Sequence, residues 1–437
     1  MSTELRRIAE RAKADPTLRF TTIAQHLTPE ALHRAFRGLR KKASAGMDGM
    51  TVAEYEKGVE ERIKALHQRL RNRTYRAQPL RRIYIPKENG KRRPISIPSL
   101  EDKIAQGATV DLLELIYEQD FLPCSYGFRP GRGAHDALDE VDRVIFQRPI
   151  SYVLEFDIQS YFDTVVRGQL MEMIGRRIGD GSILRLIGKW IHVGVIEEGR
   201  LLVNKTGIGQ GQVISPLLAN IYLHYVLDRW FEDDVKPRLR GEAHEIRYAD
   251  DGILCFQYRE DAEKMLKVLH QRFAKYGLTL HPEKTRLVEF GHYAAQHRAR
   301  QGKGKPETFD FLGFTHICAR SRRGFFAIHL RTMRKRFQRG LKGITRWCQE
   351  HRHDDVEDQR AELNLKLRGH YQYYGRSTNF QRLWQYYEAV RRIWKKWLSR
   401  RSRGQPMTWE TFQSLLDRLP LVRPRITRSW TQKGSLA

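Results

Sequence analysis

The sequence predicts an α+β fold, in which helices at both ends of the chain flank a central region of antiparallel strands. Apolar residues recur at helical spacing in about the first 75 residues and again after residue 320. Between these regions, short apolar runs at 152–157 and 245–256 have the length and alternation of strands. At 437 residues, the chain is long enough for roughly two to four domains with a sizeable core.

The helical start of the chain carries recognisable signals. Thr28 and Pro29 have the residue types of an N-cap and a first helical position. A glycine-punctuated turn at 45–51 follows, and a second amphipathic helix is predicted from Tyr55 to Leu70.

Residues 81–95 predict a strand, an Asn-Gly turn and a second strand, hence a hairpin. The hairpin is rich in cations, among them Arg81, Lys87 and Arg93. Such donors would suit a triphosphate, and a solvated basic loop is the alternative that charge alone leaves open.

Three aspartates predict a metal centre. Asp157 ends an apolar run that is typical of a buried strand, and Asp250 and Asp251 lie between the two strands of a predicted hairpin. Adjacent aspartates in a strand point to opposite faces, so a turn is needed to bring both near one point. A divalent cation relieves the repulsion between close carboxylates, and oxygen-only ligation suits Mg²⁺. A polar turn would explain a bare Asp-Asp pair, but three carboxylates are enough to hold two metal ions for an in-line nucleotidyl transfer.

The loop at 207–214 and the basic region near the C-terminus are further candidates for function. Glycines in the loop allow a close approach to a ligand, Gln210 can hydrogen-bond a sugar or base, and Ser215-Pro216 begins a helix. Residues 320–404 contain 23 Lys or Arg against 7 Asp or Glu. We interpret the apolar face at 383–397 as core. The cations on the rest of that helix, which are candidates for nucleic-acid binding, are Arg391, Arg392, Lys395 and Lys396.

The composition of the chain predicts a polyanionic partner. The formal net charge is +28 and the pI is near 10.1, and binding to phosphates releases their counterions. The four cysteines are scattered, which disfavours disulfides, a zinc site and an endonuclease domain with paired cysteines, and predicts a cytoplasmic setting. No apolar run could span a bilayer, and the N-terminus lacks a signal core, so we expect no membrane partner.

These motifs, in this order, resemble those of a known family. Tyr-Ala-Asp-Asp at 248–251, after an aspartate strand, resembles the palm of a reverse transcriptase. Residues 363–375 are highly similar to the thumb motif of bacterial group II intron reverse transcriptases, also called maturases. The resemblance spans nearly the whole chain and implies a right-hand polymerase, with an antiparallel sheet in its fingers and palm and a helical thumb. The implied segments are a helical N-terminal extension (1–75), fingers and palm (76–318), a thumb or maturase domain (319–403) and a basic, DNA-binding-like tail (404–437).

The resemblance assigns roles to individual residues. It implies two Mg²⁺ ions held by Asp157, Ile158, Asp250 and Asp251. Lys284 would protonate the departing pyrophosphate, with a surface lysine as the alternative. The implied nucleotide-binding residues are Arg81, Lys87, Arg93, Phe162, Gln210 and Ala249.

Two of these family assignments compete with packing roles. Phe162, five residues after Asp157, would clash with a 2′-hydroxyl and so favour deoxynucleotides, although core packing is the commoner role of such an aromatic residue. Arg129 and Arg132, in the glycine-broken loop at 126–133, would contact the template strand, with a packed turn as the alternative.

The chain departs from the family pattern at three positions. Many members have Pro directly before the loop glutamine, where this chain has Gly209. Many also have Gly in the segment after that glutamine, where this chain has Gln212. Many also have an aromatic residue after the acidic pair, where this chain has Gly252.

The resemblance implies an enzyme that synthesises DNA from dNTPs on an RNA template and a DNA primer. It also implies binding of group II intron RNA to assist splicing, and a DNA target for mobility. Two alternatives stay open: a domesticated reverse transcriptase in DNA repair or phage defence, and an RNA-binding splicing factor with a vestigial palm. The three intact aspartates argue against the second alternative, because RNA binding does not require buried acids.

Overall fold

In the computed structural model, the described residues are 3–86, 92–197, 199–203, 206–401 and 406–429. The chain divides into two compact units, Met1–Leu287 and Val288–Ala437. Helices predominate and antiparallel pairing joins most of the strands, so the predicted α+β class is confirmed.

The first unit begins with helices and continues with alternating helices and strands. Its helices are α1 Thr3–Ala14, α2 Pro29–Arg37, α3 Val52–Glu56, α4 Val59–Arg71, α5 Leu100–Asp120, α6 Ala134–Gln147, α7 Tyr161–Thr164, α8 Arg167–Gly175, α9 Gly181–His192, α10 Ser215–Leu223 and α11 Arg259–Lys275. Its strands are β1 Leu80–Pro86, β2 Arg92–Ile97, β3 Tyr152–Asp157, β4 Val195–Glu197, β5 Arg200–Leu202, β6 Ala243–Tyr248 and β7 Asp251–Phe256, and β8 Arg286–Glu289 lies at the division between the units. Wider π-helical turns at His224–Asp228 and Trp230–Val235 continue α10.

The helix signals in the first 75 residues are present, with one correction. The Thr28 hydroxyl accepts a hydrogen bond from the backbone N–H of Ala31 at 3.3 Å, and Pro29 begins α2, as predicted. The single helix predicted from Tyr55 to Leu70 is wrong, because the chain breaks between α3 and α4. Gly58 takes a φ of 130° there, a conformation that only glycine adopts readily, and the helix direction changes.

Two four-stranded sheets organise the rest of the first unit. One has the strand order β2-β1-β4-β5 and contains the predicted hairpin, whose strands pair from Arg81 with Ile97 to Pro86 with Arg92. The predicted Asn-Gly turn of this hairpin lies outside the described residues. The other sheet has the order β6-β7-β3-β8, so β7 lies between β6 and β3.

The core of the first unit fixes the second of these sheets. Leu154, Phe156, Leu254 and Phe256 are buried in it, and the ring of Phe156 meets that of Phe273 of α11 edge-on, with 6.2 Å between centroids. Burying such side chains contributes on the order of 2 kcal/mol each, which holds the strands in one register. The strand ends, with their acidic residues, lie at the margin of this core.

The second unit is a small sheet followed by helices. Its strands are β9 Thr308–Phe311, β10 Phe314–Arg320 and β11 Phe326–Thr332, in the order β11-β10-β9. Its helices are α12 Ala294–Arg300, α13 Arg334–Glu350, α14 Val356–Tyr374, α15 Phe380–Leu398 and α16 Trp409–Arg418. The apolar face predicted at 383–397 is buried: Leu383, Val390 and Trp394 lie in a core with residues of α14 and α16.

No helix among the described residues combines the length and the apolar character needed to cross a membrane.

Candidate active site

The structure brings the three predicted aspartates together at the ends of adjacent strands. β3 ends at Asp157 and β7 begins at Asp251, and the antiparallel register places these two residues directly opposite each other. Asp250 lies in the turn that joins β6 to β7. The predicted hairpin is therefore present, with the acidic pair at its tip.

An unusual backbone conformation shapes this turn. Ala249 has a φ of 57°, in the left-handed region that residues other than glycine, asparagine and aspartate seldom occupy. A tight turn reverses the chain within two residues and keeps Asp250 and Asp251 near one point. Strained residues of this kind persist only where the surroundings hold them, and they cluster at functional sites.

The electrostatics of the three carboxylates fit a bound cation. Burial raises the pKa of Asp251 to about 7, and the charges of Asp250 and Asp157 and a hydrogen bond with Asp157 add to the effect. Burial also raises the pKa of Asp250, and the Asp157 charge reinforces the rise. Close, buried carboxylates cannot all ionise at low cost. A bound divalent cation offsets their mutual repulsion and takes the place of the proton that would otherwise neutralise one of them. Their donor atoms are all oxygens, which fits Mg²⁺.

Lys284 lies beside this centre. Its Nζ is 3.0 Å from Oδ2 of Asp157, although its side chain is 58% exposed. Backbone hydrogen bonds place it there: the N–H of His281 donates to the carbonyl of Asp157 at 2.8 Å, and that of Gln159 donates to Thr279, also at 2.8 Å. Ile158, between these two contacts, is buried and pairs with Leu280. An exposed ion pair stabilises little, so this contact matters for position more than for stability.

Arg247, a buried arginine that the sequence analysis missed, stabilises the turn through the carbonyl of Ala249. Arg247 is fully buried, and its guanidinium forms a bidentate ion pair with Asp228. It also donates to the carbonyl of Ala249 at 2.9 Å, to Oδ1 of Asn220 at 3.2 Å and to Oγ of Ser125 at 2.8 Å. Removing one partner of such a pair typically costs about 3–5 kcal/mol. The one sequence signal was a charged residue within the apolar strand that leads to the turn.

Glu245 and Cys124 lie next to this ion pair and cluster with Asp228. Their ligand atoms and those of Asp228 lie within 4.8 Å of one another. Arg247 already supplies the positive charge that Asp228 needs. Burial, reinforced by the charge of Asp228, raises the pKa of Glu245 well above its ordinary value, which favours a neutral carboxyl.

Gly127 packs directly against the turn at Ala249 and Asp250. A Cβ atom at this position would lie 2.3 Å from the backbone N of Ala249 and 2.9 Å from the carbonyl C of Tyr248. The segment before it pairs with β6, since the N–H of Tyr126 donates to the carbonyl of Arg247 at 2.8 Å. The Asn220 side chain donates to the carbonyl of Gly127 at 2.7 Å. Only a residue without a side chain lets the two backbones approach this closely.

The two arginines of the same loop make internal contacts. Arg129 is 7% exposed, and its guanidinium pairs with Glu118 and donates to the carbonyls of Leu122 and Ser125. Arg132 donates to the carbonyl of Pro123 at 2.8 Å and is half-buried. Of the two interpretations of this loop, a packed turn accounts for these contacts of Arg129, and contact of Arg129 and Arg132 with the template strand stays a prediction.

The cationic hairpin is only partly described. Arg93 is exposed on β2, and its positive charge opposes the rise in the pKa of Asp250. Arg81 is half-buried on β1, and its Nε is buried without a partner among the described residues. Lys87 lies outside the described residues.

Phe162 lies in the short helix α7, just after β3. It is partly buried and packs on the core, with its ring 5.6 Å from that of Tyr161 between centroids. Its carbonyl accepts a hydrogen bond from the N–H of Ile208 at 2.8 Å, which ties α7 to the glycine-rich loop. Both interpretations of Phe162, core packing and contact with the sugar, fit a half-exposed ring at this place.

The glycine-rich loop is held by a pair of glutamines. The Gln106 side chain donates to Oε1 of Gln212 at 2.9 Å and accepts from the N–H of Val213, also at 2.9 Å. Gln210 is half-buried, and its carbonyl accepts from the N–H of Ser96 of β2 at 2.7 Å. A Cβ atom on Gly209 would lie 2.8 Å from Nε2 of Gln212. The two departures from the family pattern are therefore linked, because the Gln212 side chain fills the space next to residue 209.

Gly252 also has a steric explanation. It lies directly opposite Phe156 in the register of β3 and β7, and a Cβ atom on it would lie 2.2 Å from Cζ of that ring. Phe156 therefore occupies the place where a side chain at 252 would go.

In the second unit, the four predicted cations of α15 separate into two kinds. Arg391 pairs with Glu388 and donates to Gln413, and Lys395 donates to the carbonyl of Met407 and lies 4.9 Å from the ring centroid of Trp409. These two help to dock α16. Arg392 and Lys396 are exposed.

Comparisons with known proteins identify the family of this chain. Residues 85–316 match the family model described as "Reverse transcriptase (RNA-dependent DNA polymerase)". The chain is 33% identical over 345 residues to "Protein YkfC" of Escherichia coli (strain K12). This alignment covers 68% of the chain and 89% of YkfC.

It is also similar to intron-encoded proteins. It is 31% identical over 302 residues to "Group II intron-encoded protein LtrA" of Lactococcus lactis subsp. cremoris, covering 66% of this chain but 50% of LtrA, so it spans half the length of that relative. A 36% identity over 189 residues links it to the "Uncharacterized 91 kDa protein in cob intron" of Schizosaccharomyces pombe, covering 43% of this chain and 22% of that protein. The chain therefore belongs to the reverse transcriptases, the RNA-dependent DNA polymerases, and is homologous to the group II intron-encoded protein LtrA.

Proposed function

We propose that this chain synthesises DNA on an RNA template at the centre formed by Asp157, Asp250 and Asp251, and that it binds group II intron RNA as a maturase. The observation that carries the proposal is the register of β3 and β7, which places Asp157 opposite Asp251 and beside Asp250. Three carboxylates this close repel one another when they are ionised, which disfavours their clustering unless a cation is bound. They fit an enzyme that neutralises phosphates with metal ions.

Reverse transcriptases generally use divalent metal ions. In this chain, Asp157, Asp250 and Asp251, with Ile158 beside them, would hold two Mg²⁺ ions, which would stabilise the charge of the triphosphate and activate the primer hydroxyl. Lys284 would give a proton to the leaving pyrophosphate, and its hydrogen bond to Asp157 supports this role. The buried Arg247 keeps the turn in place through the carbonyl of Ala249.

The nucleotide would lie between this centre and the cationic hairpin. We assign the triphosphate to Arg81, Lys87 and Arg93. The charge of Arg93 acts on Asp250, which supports a position near the reacting groups. Gln210 and Ala249 would contact the sugar and base from the glycine-rich loop and the turn.

Phe162 would exclude a 2′-hydroxyl from this nucleotide site. We therefore expect Phe162→Ala to admit ribonucleotides. Incorporation of GTP and dGTP, measured side by side, tests this role. Unchanged discrimination between the two nucleotides would show that Phe162 serves core packing only.

The family's right-hand architecture gives the proposed division of the chain. Residues 1–75 would form a helical N-terminal extension and residues 76–318 the fingers and palm. Residues 319–403 would form the thumb or maturase domain, and residues 404–437 a DNA-binding-like tail. The excess of cations at 320–404 and the exposed Arg392 and Lys396 support a nucleic-acid-binding role for the thumb.

The maturase role is supported by the similarity to a group II intron-encoded protein. A domesticated enzyme of DNA repair or phage defence would show the same chemistry without an intron. Sequencing the RNA that copurifies with the protein separates the two, because a maturase would carry intron RNA.

The polymerase proposal is tested by primer extension on an RNA template, with wild type and Asp250→Asn. We expect extension by the wild type with Mg²⁺ and none by the variant, because the metal site loses a charge. RNA affinity should be nearly unchanged, since it depends on cations elsewhere. Near-normal extension by Asp250→Asn would refute the metal assignment.

A further inference from the structure

A cavity lies in the first unit, and none of its lining residues belongs to the aspartate centre. It has a volume of about 400 Å³. It is bounded by the turn at Ala24–His26, the end of α4 with the segment that follows it, and the first half of α9. A cavity of roughly 300–1,000 Å³ is the usual size of a site for a small organic ligand.

Part of the cavity wall is apolar. Leu27, Leu70 and Leu186 line it, together with Tyr75. Tyr75 is held firmly: its hydroxyl donates to the buried Asp102 and accepts from Nε1 of Trp190 at 2.9 Å. Apolar, well-supported walls favour a ligand with a flat or apolar part over a small inorganic ion.

The polar part of the lining is cationic. Five lining residues carry, or can carry, a positive charge: His67, Arg71, Arg73, Arg185 and Lys189. Among the described residues that line the cavity, none is acidic. Within the described part of the chain, Arg71, Arg73 and Arg185 form no ion pair.

The carboxylate at the start of α9 does not neutralise this charge. Asp180 is buried, and its oxygens accept from the N–H groups of Ile23, Ala24 and Ser182, each at 2.8 Å. These bonds fix the turn at Ala24–His26 against α9, which keeps the cavity open between them. Arg71, Arg73 and Arg185 are therefore left for a ligand that brings its own negative charge, whereas Lys189 donates to the carbonyl of Tyr75.

We propose that this cavity binds a nucleoside phosphate, with its base against the apolar wall and its phosphate at Arg71 and Arg185. The volume and the combination of an apolar wall with several cations fit that chemistry better than a phosphate ion or an apolar ligand. The nucleoside phosphate is either one nucleotide of an RNA strand or a free nucleotide. The site goes beyond the proposed polymerase function, since it needs neither the aspartates nor a metal ion.

The test compares two charge-matched double variants. Arg71→Ala/Arg185→Ala removes two cations of the cavity. Arg37→Ala/Arg40→Ala removes two exposed arginines that lie outside the cavity, at the end of α2 and shortly after it. The full chain is titrated without Mg²⁺ or primer, first with AMP and then with a 5′-labelled ten-nucleotide oligoadenylate over a salt series. Thermal melting confirms that both variants fold.

For a nucleotide within RNA, we expect the cavity variant to bind the oligoadenylate at least tenfold more weakly. The slope of log affinity against log salt should then fall by about 0.7, because the proposal places one phosphate of the strand at Arg71 and Arg185. For a free nucleotide, we expect AMP to bind saturably at one site in the wild type and in the control, and not in the cavity variant. Equal effects of the two double variants, or no effect in either titration, would overturn the proposal.

Discussion

Replacing Gly127 with alanine should displace the turn at Ala249 and Asp250 while leaving the fold in place. The added Cβ would lie 2.3 Å from the backbone N of Ala249, where ordinary contact begins near 3.4 Å, so one of the two backbones must move by about 1 Å. Overpacking of this kind typically costs about 1–3 kcal/mol. A misplacement of about 1 Å in a reacting group costs on the order of 100-fold in rate.

The assay is single-turnover primer extension on a homopolymer RNA template with saturating dNTP. We expect the rate of Gly127→Ala to fall about 100-fold, while the affinity for template-primer stays unchanged because the cations are untouched. Gly188→Ala is the matched control, since a Cβ atom there meets nothing within 4 Å in α9. A wild-type extension rate for Gly127→Ala, with an intact thermal transition, would refute the view that Gly127 sets the position of the turn.

Three further predictions follow from the same contacts. Gly209→Ala should raise the KM for dNTP about tenfold in the wild type and by less in a Gln212→Ala background, because a side chain at 209 and that of Gln212 compete for one space. Additive effects in this double-mutant cycle would contradict a steric coupling between positions 209 and 212. Arg392→Ala/Lys396→Ala should lower the salt dependence of intron-RNA binding, by a slope of about 1 or more, without changing the melting temperature, and an unchanged slope would remove these cations from the RNA surface. Burial lowers the pKa of His224 to about 4, so as pH falls from about 6.5 the unfolded chain binds this proton before the folded chain does. The free energy of unfolding should therefore be about 2 kcal/mol lower at pH 5 than at pH 7. In denaturant titrations, His224→Gln should lose this pH dependence.

The parts of the site that the sequence predicted are those carried by strong local patterns. An apolar run ending at Asp157 and a hairpin around Asp250 and Asp251 depend on alternation and turn formation, which neighbouring residues determine. The buried face of α15 was predicted for the same reason, since helical spacing shows in the sequence. Local signals were insufficient at Gly58, where a positive φ divided the helix that the apolar spacing predicted.

The residues that the sequence analysis missed act through contacts distant in the chain. Arg247 meets Ser125 across 122 residues, and Gln106 meets Gln212 across 106 residues. No pattern within a short window reveals such pairs. The role of Gly209 likewise became clear only when the structure showed the Gln212 side chain beside it. Side-chain exposure, which separates Arg392 and Lys396 from Arg391 and Lys395, also depends on how α16 packs on α15.

The most direct test of the metal centre counts the ions that the three aspartates bind. Manganese(II) is titrated into the protein with RNA template, a chain-terminated DNA primer and dNTP, and free Mn²⁺ is measured by its EPR signal, with a protein-free mixture as the reference. We expect two ions bound above the reference for the wild type, and the loss of at least one in Asp250→Asn, because Asp157 and Asp251 alone cannot hold both. Equal Mn²⁺ binding by the two proteins would contradict the assignment of Asp157, Asp250 and Asp251 as the metal centre.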